Sequence, residues 1–179
     1  SALHDSAYRH TSGEAVYVDD IPAQRGELVA CLVTSKHAHG RIISVNKERA
    51  RSMEGIHDVL SLEDVPGTNL IGPIIHDEPL FADGVVHYVG QVIAAVIGES
   101  YELCRLAADA VVVEIAELPT ILSIEEAQAH NAYHAEPHVI ARGDLKGALQ
   151  SADVVIEGTV ANGHQDHFYL ETHVALALP

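Results

Sequence analysis

Lysine and arginine are scarce in this chain. There are 10 of them against 26 acidic residues, a formal net charge of −16, and they form no cluster able to track a phosphate backbone. Nucleic acid is therefore not an expected partner. Cysteine is equally short: Cys31 and Cys104 are too few for an iron–sulfur cluster, and their apolar surroundings suit reduced, buried thiols of a cytoplasmic protein. No apolar run reaches the roughly 20 residues that span a bilayer, so no membrane is expected. Ser1 to His10 lack the basic and apolar regions of a signal peptide. GxGxxG, GxSxG and P-loop patterns are missing, as is a cysteine paired with a plausible histidine motif. Phosphate chemistry and covalent catalysis are left without support.

What is present describes a folded protein. Across 179 residues, 47% are apolar and 20% charged, enough for one ordinary domain plus an appendage. The start at Ser1 and the stop at Pro179, directly after a strand-like run, read as a piece of something longer. Glu27 to Thr34 and Arg41 to Val45 read as strands. KERARSME, between Asn46 as N-cap and Gly55 as C′ residue, reads as a short solvated helix, and Ile56 to Leu60 as a strand. After a loop containing Pro66, Pro73 and Pro79, His87 to Gly98 reads as one long strand.

Ser100 is placed to cap a helix whose Leu103, Leu106, Ala107, Ala110 and Val111 share one face. Val111 to Ile115 then reads as a strand, and Ser123 with Glu126 forms a capping box that starts a helix near Ile124. From Asn131 to about Asp153 the pattern weakens into a linker with a helical stretch, LKGALQSA. Val154 to Val160 and Val174 to Leu178 are again strand-like. Strands interspersed with helices and no dinucleotide fingerprint predict an α+β fold rather than a doubly wound sheet.

The 13 histidines raise a metal reading. His130, His134 and His138 recur at a spacing that stacks imidazoles on a helix, but Pro137 disfavours a helix there and an exposed loop is the better expectation. His37 and His39, at a strand end, are expected to be solvent-facing or hydrogen-bonded. Asp19 and Asp20, before Pro22, read as a solvated turn. His164, His167 and His173 form a denser set with Asp166 and Glu171. On pattern alone, His167, Phe168, Tyr169 and Leu170 read as packing along a strand edge while the polar residues pair locally.

Taken together, SGEAVYVDDIP from Ser12, LVTSKHAH from Leu32, VGQVIAAVI from Val89 and ELPTILSIEEA from Glu117 resemble the α/β hammerhead domain of the xanthine dehydrogenase and aldehyde oxidase family. The resemblance continues through GDLKGALQSADVVIEGTV into GHQDHFYLETHVALALP, which is similar to the opening of the molybdopterin-binding region. Its FYLETH wording is closer to xanthine dehydrogenases than to carbon monoxide dehydrogenase or the aldehyde oxidoreductases. It implies a hammerhead domain over residues 1–130, a linker over 131–153 and the first strands of a molybdopterin-binding domain over 154–179.

The implied activity is that of a molybdenum hydroxylase, most similar to xanthine dehydrogenase, oxidising hypoxanthine or xanthine to urate with oxygen taken from water. The implied cofactors are molybdenum–molybdopterin, shared with segments outside this chain, and iron–sulfur clusters and FAD elsewhere in the assembly. The remaining molybdopterin-binding segment, the iron–sulfur and FAD subunits or domains, and a purine or N-heterocycle substrate are the implied partners. Gln165 matches the glutamine whose amide donates to the molybdenum oxo ligand, an outer contact rather than direct ligation. The sequence departs from the family at His164, commonly glycine, and Asp166, commonly glutamate. His167, Phe168 and Tyr169 match, with packing and loop-positioning roles. The catalytic glutamate belongs to later parts of such subunits, so no catalytic residue and no direct metal ligand is assigned here. Two other readings stand beside this one: a non-catalytic hammerhead assembly module of a related aldehyde or N-heterocycle hydroxylase, and a histidine-rich zinc-binding domain.

Overall fold

The computed structural model describes residues 4–169 and 173–178. In chain order its elements are α1 (Ala7–Ser12), β1 (Val29–Thr34), β2 (Gly40–Asn46), α2 (Glu48–Arg51), β3 (Ile56–Ser61), β4 (Val85–Val86) and β5 (Val92–Gly98). They continue with α3 (Tyr101–Ala110), β6 (Val112–Glu117), α4 (Ile124–Ala129) and α5 (Leu145–Ser151). The chain divides into two compact units, one over residues 23–131 and the other over 1–22 with 132–179.

Residues 23–131 build two three-stranded antiparallel sheets, in the orders β1-β5-β3 and β4-β2-β6. β5 is central to the first, and the pleat divides its side chains. Ala94 and Val96 join the cluster around Cys104 and Ala107 of α3, whereas Ile93 joins a second cluster with Ala82 and Val86. Burial on both sides explains why this strand reads as a continuous apolar run. Val45 and Val113, on the second sheet, pack against both clusters. A bulge lies between Ile42 and Ser44 and leaves Ile43 exposed. Ile42 and Val45, three apart, can then both face the core, which strict alternation would forbid.

α3 forms where expected. The Ser100 hydroxyl accepts from the Leu103 N–H at 3.3 Å, satisfying one orphan donor of the first turn. Ser100→Ala should lower stability by about 1 kcal/mol, measured as a lower denaturant midpoint with unchanged slope. The inward face is centred on Cys104 and Ala107, both 0% exposed, while Leu106, expected on that face, is exposed. The Ser123 cap is also present, its hydroxyl accepting from Glu126 N–H at 3.2 Å. Glu126 reaches back to the Leu122 N–H at 3.1 Å, which, with the Ser123 hydroxyl, holds its carboxyl below the usual range.

Three local readings are corrected. The strand expected from His87 begins only at Val92, because Gly90 turns the chain at φ +95° and the Gln91 side chain accepts the His87 N–H at 2.7 Å. The helix expected across KERARSME is the four-residue α2, capped by Ser52, so Gly55 serves the turn into β3. It is not wholly solvated either: Lys47 and Ala50 are buried. Finally, no strand forms at Val154 to Val160 or Val174 to Leu178. These segments have no ladder partner among the described residues, and a strand exists only where its N–H and C=O groups are paired.

The other unit holds α1, a 3-10 turn over Val18–Asp20 and α5. The Tyr17 hydroxyl and His10 Nδ1 share a hydrogen bond of 2.9 Å, and Asp20 accepts the Tyr17 N–H at 2.9 Å. The turn expected for Asp19 and Asp20 is therefore formed. Asp144 caps α5 by accepting from Gly147 N–H at 2.9 Å.

Candidate functional site

Leu170, Glu171 and Thr172 of the GHQDHFYLETH run lie outside the described residues. Gly163 to Tyr169 has no regular secondary structure and is exposed throughout. Gln165 is exposed and makes no hydrogen bond to any described residue. His167 and Tyr169 stack with ring centroids 5.6 Å apart and planes at 11°, and the Tyr169 ring lies 6.4 Å from that of His173. Phe168, between them in sequence, takes φ +45° and is 90% exposed. The segment thus stacks His167 on Tyr169 and sets the His173 ring at a tilt beside Tyr169. The strand edge expected from Phe168 is absent.

The other histidines separate by environment. The His37 ring donates from Nδ1 to Glu117 at 3.1 Å, and His39 Nδ1 donates to the Pro119 carbonyl at 2.6 Å, as the hydrogen-bonded reading expects. A carbonyl only accepts, so the latter contact fixes the proton of neutral His39 on Nδ1. His130 closes α4, and Asn131 at φ +52° turns the chain, so His134 and His138 do not continue on a helical face. Among the described residues no three His, Cys, Asp or Glu side chains come close enough to hold a metal ion.

Two features of residues 23–131 were not anticipated. One is a buried ammonium. Lys47, 6% exposed, donates to Ser61 Oγ at 2.8 Å, Asp64 Oδ2 at 2.8 Å and Glu63. Burial alone would lower its pKa, but the bonds to Asp64 and Glu63 outweigh it and hold the ammonium above the ordinary lysine value. The Lys47 hydrogen bond and the Ser61 N–H in turn hold the Asp64 carboxyl low. No local pattern marks this network, since the partners come from the end of β3 and the turn that follows it. The second is a pocket of about 230 Å³ whose lining includes Val33, Ile93 and Ile115 together with Ser35, His37 and Asp109.

Residues 12–119 match the family described as aldehyde oxidase and xanthine dehydrogenase, a/b hammerhead domain, and residues 124–179 match the molybdopterin cofactor-binding domain. The chain is 42% identical over 177 residues to a xanthine dehydrogenase/oxidase of Gallus gallus, covering 99% of this chain and 13% of that protein. It is 43% identical over 179 residues to xanthine dehydrogenase 1 of Arabidopsis thaliana, covering 98% and 13%. Among solved structures, quinoline 2-oxidoreductase from Pseudomonas putida 86 aligns with a TM-score of 0.70 at 27% identity, covering 88% of this chain and 22% of that one. Aldehyde oxidoreductase from Desulfovibrio gigas aligns at 0.68 and 29%, covering 84% and 19%. The chain therefore spans about an eighth of the length of the curated relatives it matches, 13% in each case.

Proposed function

Because the chain belongs to the aldehyde oxidase and xanthine dehydrogenase family, we propose that it supplies the hammerhead domain and the opening of the cofactor-binding region of a xanthine dehydrogenase. The whole enzyme would oxidise hypoxanthine or xanthine to urate. The observation that carries this reading is identity above 40% to xanthine dehydrogenases of a bird and a plant along nearly the entire chain. Two free thiols, Cys31 and Cys104, suit a reducing compartment, and we place the enzyme in the cytoplasm. No described helix is long and apolar enough to cross a membrane.

Gln165 is the residue we assign to the molybdenum–molybdopterin centre. Its chemistry fits: an exposed amide with no hydrogen bond to any described residue can donate to an oxo ligand without ligating the metal or changing the charge of the site. The His167 and Tyr169 rings stack two and four residues further along the same exposed segment. When bound, the cofactor supplies the two-electron oxidation and the delivery of water-derived oxygen. Iron–sulfur clusters and FAD in other domains or subunits would carry the electrons away.

Gln165→Ala in the complete assembly should lower the turnover rate about 10- to 100-fold, with the melting temperature and molybdenum content retained. An unchanged rate would remove the assignment. Active intact material without molybdenum would overturn the enzyme reading as a whole. A second reading, in which residues 1–130 are an assembly module that takes no part in the chemistry, draws on the core itself. Every buried hydrophobic residue described lies between Val33 and Val111. Cooperative unfolding of residues 1–130 alone would support that division of labour.

A further inference from the structure

Two thiols sit in the core of residues 23–131, and the chemistry proposed above uses neither. Val29, Cys31 and Val33 alternate along β1, and all three are at least partly buried while Ala30, Leu32 and Thr34 are exposed. A strand's period of two puts them on one face, the face turned inward. α3 packs there. Cys104 is fully buried, and its Sγ donates to the Val29 carbonyl at 3.3 Å. In the β1–β5 ladder Val29 stands opposite Gly98 and Cys31 opposite Val96. Cys31 is thus the next inward residue along β1 from the one whose carbonyl holds the Cys104 sulfur.

The two cysteines belong to one packed cluster. Burial first, and the nearby Cys31 thiol second, push the Cys104 thiol above its ordinary range. Both thiols are free, with Cys31 half-buried and therefore the more accessible.

We propose that Cys31 and Cys104 are a vicinal dithiol that a small-molecule disulfide of the glutathione type oxidises to an internal bridge, fastening α3 to β1. Cys31 reacts first. It loses its proton to solvent, its sulfur bonds to one sulfur of the small disulfide, and that S–S bond breaks to release one thiol. Cys104 then loses its proton and attacks the Cys31 sulfur, and the mixed disulfide breaks to release the second thiol. The protein pair gives up two protons and two electrons, and the oxidant leaves as two thiols. The second step needs the Cys104 thiolate, so the bridge should form faster as pH rises.

The test is to treat the complete assembly with glutathione disulfide, block the remaining thiols, digest without reduction and identify the peptides by mass. The expected product is a linked pair containing Cys31 and Cys104, lighter by two hydrogens than the separate peptides and split by a reductant. Cys104→Ser should stop the reaction at a lasting glutathione adduct on Cys31, and Cys31→Ser should leave Cys104 unmodified. A lasting adduct on Cys31 in the unmutated protein would overturn the proposal, as would two unmodified thiols after an exposed control thiol has reacted fully. The unmutated assembly decides the matter even if a variant fails to fold.

Discussion

Lys47→Met is expected to lower the free energy of unfolding by about 3 kcal/mol, seen as a lower denaturant midpoint at neutral pH. Methionine retains an apolar stem of similar length and removes the charge. The Asp64 carboxylate then loses its shortest cationic contact, 2.8 Å, and is left with the Ser61 N–H, the Ser61 hydroxyl at 3.3 Å and an Arg51 guanidinium 3.9 Å away. Glu63 is largely solvated, which keeps the loss toward the lower end for a broken buried pair.

The same network sets a pH profile. Asp64 titrates below its ordinary value when folded, so its contribution is present above about pH 4 and is lost as pH falls through the folded value. Lys47 titrates above its ordinary value, so its contribution is present below about pH 10.4 and is lost as pH rises through the folded value. The variant should show a flatter stability profile at both ends. Unchanged acid and alkaline limbs would remove the network from the account of stability.

Gly98→Val should be comparably damaging, at about 3 kcal/mol. A Cβ there would lie 2.7 Å from the Gly55 carbonyl oxygen, 2.9 Å from Cys104 Sγ and 3.0 Å from Ile56 Cδ1. The carbonyl cannot easily give way, since it accepts the Glu99 N–H at 2.9 Å and anchors the end of β5. Gly67→Ala is the control, because nothing lies within 4 Å of its Cβ. Thermal unfolding should separate the two variants clearly. Equal melting temperatures would show that α3 does not need this close approach to the sheet.

The elements legible in the sequence are those specified by neighbours along the chain. Ser100 and Ser123 signal their helices because cap and capped N–H lie three residues apart. β1, β3 and β6 signal themselves through short β-branched runs. What escaped depends on residues brought together by the fold. Lys47 looks like one more charge at a helix start until Glu63 and Asp64, 16 and 17 residues on, close around it. The bulge at Ile43 shifts the period of β2, and a period of two cannot announce its own interruption. The repeating His130, His134 and His138 lose their helical register at Asn131. The proposal for Gln165 rests on the family resemblance of the whole run. Its residue type and spacing alone would not have distinguished it, and the described segment places it without regular secondary structure.

The sheet orders carry a consequence for how this protein is made. β1 and β2 are consecutive in the chain but belong to different sheets. β1 must wait for β5, which runs to Gly98, and apart from the two residues of β4, β2 must wait for β6, which runs to Glu117. Pairings of such wide sequence separation close slowly, and unpaired apolar strands are prone to aggregate meanwhile. On the ribosome, a chain halted between β3 and β5 would display β1 and β3 on either side of an absent centre. That nascent species, more than the finished domain, exposes strand edges open to wrong pairing.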